Sequence, residues 1–122
     1  MSKENNKTFN DNIDVEQSMA YLAGNKDLYI KIVNVFINGS GKKIESLKDF
    51  LKQEDFRRLV VEFHGLKSSA ATVGSTLLPP LAQELEKEGK EGNNEFLKQN
   101  FDKFIAQYED TCEALSSAIE SL

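Results

Sequence analysis

The chain has little that would tie it to a membrane, an oxidising compartment or a nucleic acid. No stretch of about 18 apolar residues occurs, which excludes a transmembrane helix read from sequence. The start carries no basic–apolar–small signal-peptide pattern. A single cysteine, Cys112, cannot close an internal disulfide, and this fits a reducing, cytoplasmic setting. The net charge is −5 and the 15 Lys and Arg residues are scattered. Binding nucleic acid needs a concentrated basic surface, so nucleic acid is excluded as a partner. Proline occurs only twice, which leaves room for long helices. No segment alternates polar and apolar residues over a strand length, so a β-fold is excluded and the class is all-α. Histidine is as scarce as cysteine: His64 is the only one in 122 residues.

What is present is helical periodicity. Residues 1–12 are polar and read as a disordered lead-in or linker. The remainder, 13–122, is long enough for one domain with one core. Asp14 is placed to cap a short first helix with Val15, Met19 and Leu22 on its apolar side, ended by Gly24-Asn25. A second helix is expected over 26–52, with Tyr29, Val33, Phe36, Ile44, Leu47 and Leu51 at spacings of three and four. Gly39 and Gly41 weaken it by about 1 kcal/mol each relative to alanine. The stripe resumes in phase at Ile44, so the helix is expected to pass through. Glu54-Asp55 opens a third helix that runs to Val73 and stops at Gly74. Pro79-Pro80 fits only the first turn of a fourth helix, which carries Leu78, Leu81 and Leu85 inward. A fifth helix, 94–121, has Leu97, Phe101, Phe104, Ile105, Tyr108, Cys112, Leu115 and Ile119 on one stripe. Four long amphipathic helices with short connections imply an antiparallel up-down-up-down four-helix bundle, with the short first helix capping one end.

The third helix carries the candidate chemistry. At about 100° per residue, Phe56, Leu59, Phe63, Leu66, Ala70 and Val73 share one sector, the core face. Arg57, Val61, His64, Ser68 and Thr72 lie opposite. His64 is therefore expected to face out, with Lys67 and Ser68 beside it at the next turn and Ala71 beyond. Lys67 can neutralise an anion arriving at the imidazole. The small side chains of Ser68 and Ala71, with the outward Val61 and with Arg57, give a docking surface room to approach. Neutral imidazole, with a reference pKa of about 6.5, is a competent nucleophile toward phosphorus. A solvated surface histidine with no role would show the same outward phase.

The segment His64-Gly65-Leu66-Lys67-Ser68-Ser69-Ala70-Ala71-Thr72-Val73-Gly74 resembles the signature of histidine-containing phosphotransfer (HPt) domains. The run from Leu78 to Glu86 resembles the one that follows it, and Ile13-Asp14-Val15-Glu16 with Leu22-Ala23-Gly24-Asn25 resemble the short helix that opens such domains in hybrid sensor kinases. The resemblance implies that His64 accepts a phosphoryl group from a receiver-domain aspartate and passes it on, with Lys67 stabilising its charge and Gly74 as the structural turn. It implies response-regulator receivers, and a hybrid histidine kinase, as partners. The protein would be a monomeric phosphocarrier in the cytoplasm, or in the cytoplasmic part of a membrane-bound kinase, without membrane insertion. No cofactor or metal of its own is implied; Mg²⁺ belongs to the receiver. Ser68 departs from the pattern, which usually has glycine there. Two other readings compete: an unphosphorylated helical module that binds a receiver or kinase, and an enzyme using His64 as general base. The second lacks a catalytic group placed beside His64 in the sequence.

Overall fold

The computed structural model describes residues 12–122, so the expected lead-in of residues 1–12 lies almost wholly outside the described residues. Among the described residues five helices are defined in order: α1 Val15–Tyr21, α2 Lys26–Lys52, α3 Phe56–Thr72, α4 Leu78–Lys90 and α5 Asn94–Glu120. Among the described residues there is no strand, only an isolated antiparallel bridge between Ile13 and Ser75.

Local chemistry sets the helix starts. Asp14, Asn25, Asp55 and Asn93 each accept a hydrogen bond from the backbone N–H three residues on, at 3.0, 3.0, 3.2 and 3.3 Å. Each thereby satisfies one of the amides that a helix start leaves unpaired. The exception is α4, which has prolines in its first turn and no side-chain cap from Leu77. There Ser75 Oγ accepts from Leu78 N at 3.2 Å. α2 runs unbroken through Gly39 and Gly41. One boundary differs from expectation: Glu54 is not the first residue of α3. It sits in the preceding turn with φ 56°, and Asp55 alone caps the helix.

Each long helix packs against two others: α3 on α2 and α4, α5 on α2 and α4. The core between them includes Tyr29, Leu47, Leu59, Phe63, Leu85 and Phe104, all fully buried. An aromatic seam crosses it. Phe63 meets Phe104 edge-on at 5.0 Å, Phe104 meets Tyr108 at 6.2 Å, and Tyr108 meets Phe36 at 5.5 Å. These separations are in the attractive range for tilted rings, so the seam ties α3 through α5 to α2.

The short N-terminal element clamps the end of α3. Asp14 N donates to Gly74 O at 2.6 Å and Thr76 N to Asn12 O at 2.9 Å. Val15, Met19 and Leu22 are only partly buried, while Ser18 is buried and its Oγ donates to Thr72 O at 3.0 Å. Tyr29 Oη donates to Val73 O at 2.8 Å. Burial pushes the Tyr29 phenol up to about 12, so it stays a donor. Gly74 has φ +91°, and a Cβ there would lie 2.7 Å from Asp14 O and 2.8 Å from Ser18 Oγ. Only glycine satisfies both the dihedral and the contact.

Candidate functional site

Helix α3 presents two faces with opposite burial. Leu59, Phe63, Leu66 and Ala70 are buried, at one-turn spacings. Arg57, Val61, His64, Ser68 and Ala71 are all exposed, as their phase on the helix requires. The His64 side chain is 63% exposed, which leaves the outer part of the ring open to another molecule.

The inner edge of that ring is held. His64 Nδ1 lies 2.7 Å from Glu86 Oε2 on α4. Lys67 Nζ donates to Glu86 Oε1 at 3.1 Å, and Lys90 Nζ is 3.1 Å from Oε2. Glu86 itself is buried, with its side chain 6% exposed. Burial alone would raise its pKa. The hydrogen bonds from Lys90, His64 and Lys67 outweigh that and bring it down to about 2. The carboxylate is thus ionised and can only accept. That assigns the proton of the facing imidazole nitrogen: Nδ1 donates, and in the neutral ring the lone pair resides on Nε2.

Close helix contact brings these groups together. A Cβ on Gly89 would collide with Val60 Cγ2, so only glycine lets α4 lie this near α3. Gly89 is three residues after Glu86 and Val60 four before His64, so the contact lies about one turn from the His64–Glu86 pair on each helix. A shallow groove lined by Val60, Val61, His64, Glu86 and Lys90 opens beside the ring. Val61 also belongs to a second groove with Phe50, Asp55, Arg57, Arg58 and Glu62. Ser68 and Ala71 lie on the exposed stretch further along α3. No cluster of metal-ligating side chains occurs among the described residues.

Two features depart from the sequence reading. Lys67 does not project freely into solvent: its side chain is only 30% exposed and its ammonium is bonded to Glu86. And a second chemical group does stand beside His64, the Glu86 carboxylate. A signal for it was present in the sequence. Leu78, Ala82 and Leu85 are the inward positions of α4, and Glu86, four residues after Ala82, falls on the same stripe. A charged residue at an inward position needs partners, and these come from α3.

The model of one family, described as the Hpt domain, matches residues 31–119, well over half the chain. The chain belongs to the Hpt domain family. Its function is histidine phosphotransfer in a phosphorelay. The Hpt fold is matched in three dimensions by the crystal structure of histidine-containing phosphotransfer protein B (HptB) from Pseudomonas aeruginosa PAO1. The TM-score is 0.80 at 17% identity, over 91% of this chain and 96% of that one. At this identity the likeness concerns the helical fold. No curated protein matches the sequence.

Proposed function

We propose that His64 is the phosphoryl acceptor and donor of this Hpt domain, exchanging phosphate with receiver-domain aspartates. The observation that carries the reading is the pairing of Nδ1 with a buried, ionised Glu86 on a ring that is otherwise open. The Nε2 lone pair forms the N–P bond as the P–O bond of the aspartyl phosphate breaks. The electron pair of that bond returns to the aspartate as carboxylate. The Nδ1 proton stays in place, and the ring becomes a phosphoimidazolium facing Glu86. A fixed negative charge beside the cation that forms favours it without reorganisation. The reverse sequence returns the group to a second receiver.

In this reading the chain is a phosphocarrier, and the Mg²⁺ and the aspartate chemistry belong to the receiver. Lys67 holds Glu86 in place and lies within one turn of the phosphoryl group. Arg57, Val61, Ser68 and Ala71 form the docking surface, with Ser68 adding a hydroxyl where glycine is usual. Gly74 is the structural turn. Residues 13–122 are one domain, an antiparallel up-down-up-down bundle of α2 to α5 with α1 capping the end that holds Gly74. It acts as a monomer in the cytoplasm, free or as part of a hybrid kinase, without entering the membrane.

The test is incubation with a phosphorylated receiver. Acid-labile, base-stable label is expected on the chain and absent from His64→Gln. Label that persists in His64→Gln overturns the assignment. Receiver binding without any label would instead make the chain an unphosphorylated interaction module.

A further inference from the structure

Glu86 spreads its partners unevenly over its two oxygens. Among the described residues Oε1 accepts from Lys67, whereas Oε2 serves both His64 Nδ1 at 2.7 Å and Lys90 Nζ at 3.1 Å. We propose that Lys90 is a positioning residue for phosphotransfer: by sharing Oε2 with the imidazole, it limits how strongly Glu86 polarises the Nδ1–H bond of His64. The inference rests on His64 being the phosphoryl acceptor, and it extends the site by one residue.

The physical argument is a competition for one lone-pair-bearing atom. A carboxylate oxygen that also faces an ammonium carries less negative potential toward its second donor. Electron density at Nε2 follows the pull on Nδ1–H across the ring, so nucleophilicity there follows the charge left on Oε2. The groups facing Glu86 are His64 and Lys67 from α3 and Lys90 from its own helix. Of these, Lys67 binds the other oxygen and is largely covered. Lys90 is 63% exposed, so it can leave Oε2 for solvent, or for an incoming anion, with little obstruction. It also lines the groove in which the ring sits. A plainer role exists for it: a lysine in the last turn of α4, four residues after a glutamate, stabilises the helix end whatever His64 does. The experiment separates the two.

The intact chain is labelled with ¹⁵N-histidine. The shifts of the two ring nitrogens of His64 are read near pH 8, above the ordinary imidazole range of about 6.5. Lys90→Met is expected to move both nitrogen shifts in the direction of a stronger Nδ1–H hydrogen bond, and Lys90→Arg to restore them. With a small phosphoramidate donor at saturation, single-turnover phosphorylation of Lys90→Met is expected to rise by about 1.5- to 5-fold, the scale of one exposed ion pair. Ring shifts and saturated rate that both stay at the native values in Lys90→Met would overturn the proposal and leave Lys90 as a helix-end cation. The ring shifts need no phosphoryl transfer. A chain that shows them but never accepts phosphate overturns the assignment of His64 and with it the phosphotransfer role of Lys90, whereas a labelled chain with native shifts and rate in Lys90→Met overturns the role of Lys90 alone.

Discussion

Two of the polar contacts that helix α3 makes with its neighbours are built differently. At its C-terminal end, Ser18 and Tyr29 donate to the carbonyls of Thr72 and Val73, and both donors are buried. The partners are neutral, the acceptors are backbone, and Tyr29 stays protonated throughout the ordinary pH range. Midway along the helix, Glu86 gathers His64, Lys67 and Lys90 at a rim where the imidazole and Lys90 are open. Here every partner is charged or titratable. The first contact spends its hydrogen bonds on fixing where α3 ends. The second leaves one nitrogen of one ring uncommitted. Together they indicate how a small helical fold keeps a reactive atom exposed: rigidity is built in two turns away, and the charged groups at the rim remain free to respond to a partner.

The comparison breaks first at His64. His64→Gln should lose all acid-labile label while circular dichroism and thermal midpoint stay near native, because the ring is mostly outside the core. Loss of fold in that variant would mean the rim is structural as well. On the inner face, Phe63→Ala should cost about 3–5 kcal/mol in denaturant unfolding, since it empties a buried site against Phe104. A near-neutral value would show that the aromatic seam is loosely packed.

The closed contact can be strained directly. Gly74→Ala combines an unfavourable positive φ with a Cβ pressed on Asp14 O, and should destabilise by about 1–3 kcal/mol. Phosphotransfer measured well below the new unfolding midpoint should change little if this end only sets geometry. Glu86→Gln addresses the open contact. It keeps an acceptor for Nδ1–H but replaces a charge-assisted bond with a neutral one, worth about 1–2 kcal/mol. Phosphoryl acceptance should fall by roughly 5- to 30-fold on that scale. The same variant sharpens the pH behaviour. Glu86 titrates at about 2 in the fold against an ordinary 4.5, so its stabilising contribution is present above about pH 4.5 and is lost as pH falls toward 2. Wild type should lose stability over that window by more than Glu86→Gln does, as read from unfolding midpoints at each pH. The smallest effect is expected at Val61, which is 64% exposed. Val61→Ala should shift stability by no more than about 0.5 kcal/mol. It should still weaken receiver binding by titration calorimetry if the groove beside His64 is where the partner sits.

Much of this molecule was legible in the chain because its determinants are local. Asp14 and Asp55 mark helix starts, since a short polar side chain before an apolar stripe has one good use there. The phase of α3 placed Phe63 inside and His64 outside from 3.6-residue periodicity alone. Helix α2 passed through Gly39 and Gly41 because two flexible residues cost less than the packing of Tyr29 to Leu47 on one face returns. Glu54 lies in the turn and not in α3, because an acidic residue before a cap suits either, and only the backbone dihedral separates them.

By itself, then, the sequence determined the helices, their inward faces, the family and the one histidine that faces outward. Tertiary structure decided what that histidine touches. Glu86 lies 22 residues away on a helix whose rotation and distance depend on Gly89 fitting against Val60, and no periodicity within α3 encodes that. The free cation expected of Lys67 became a partner of the same carboxylate for the same reason. A helix specifies its own faces through repeats of three and four residues. Which side chains meet across two helices is set by close packing of both, a property of the pair.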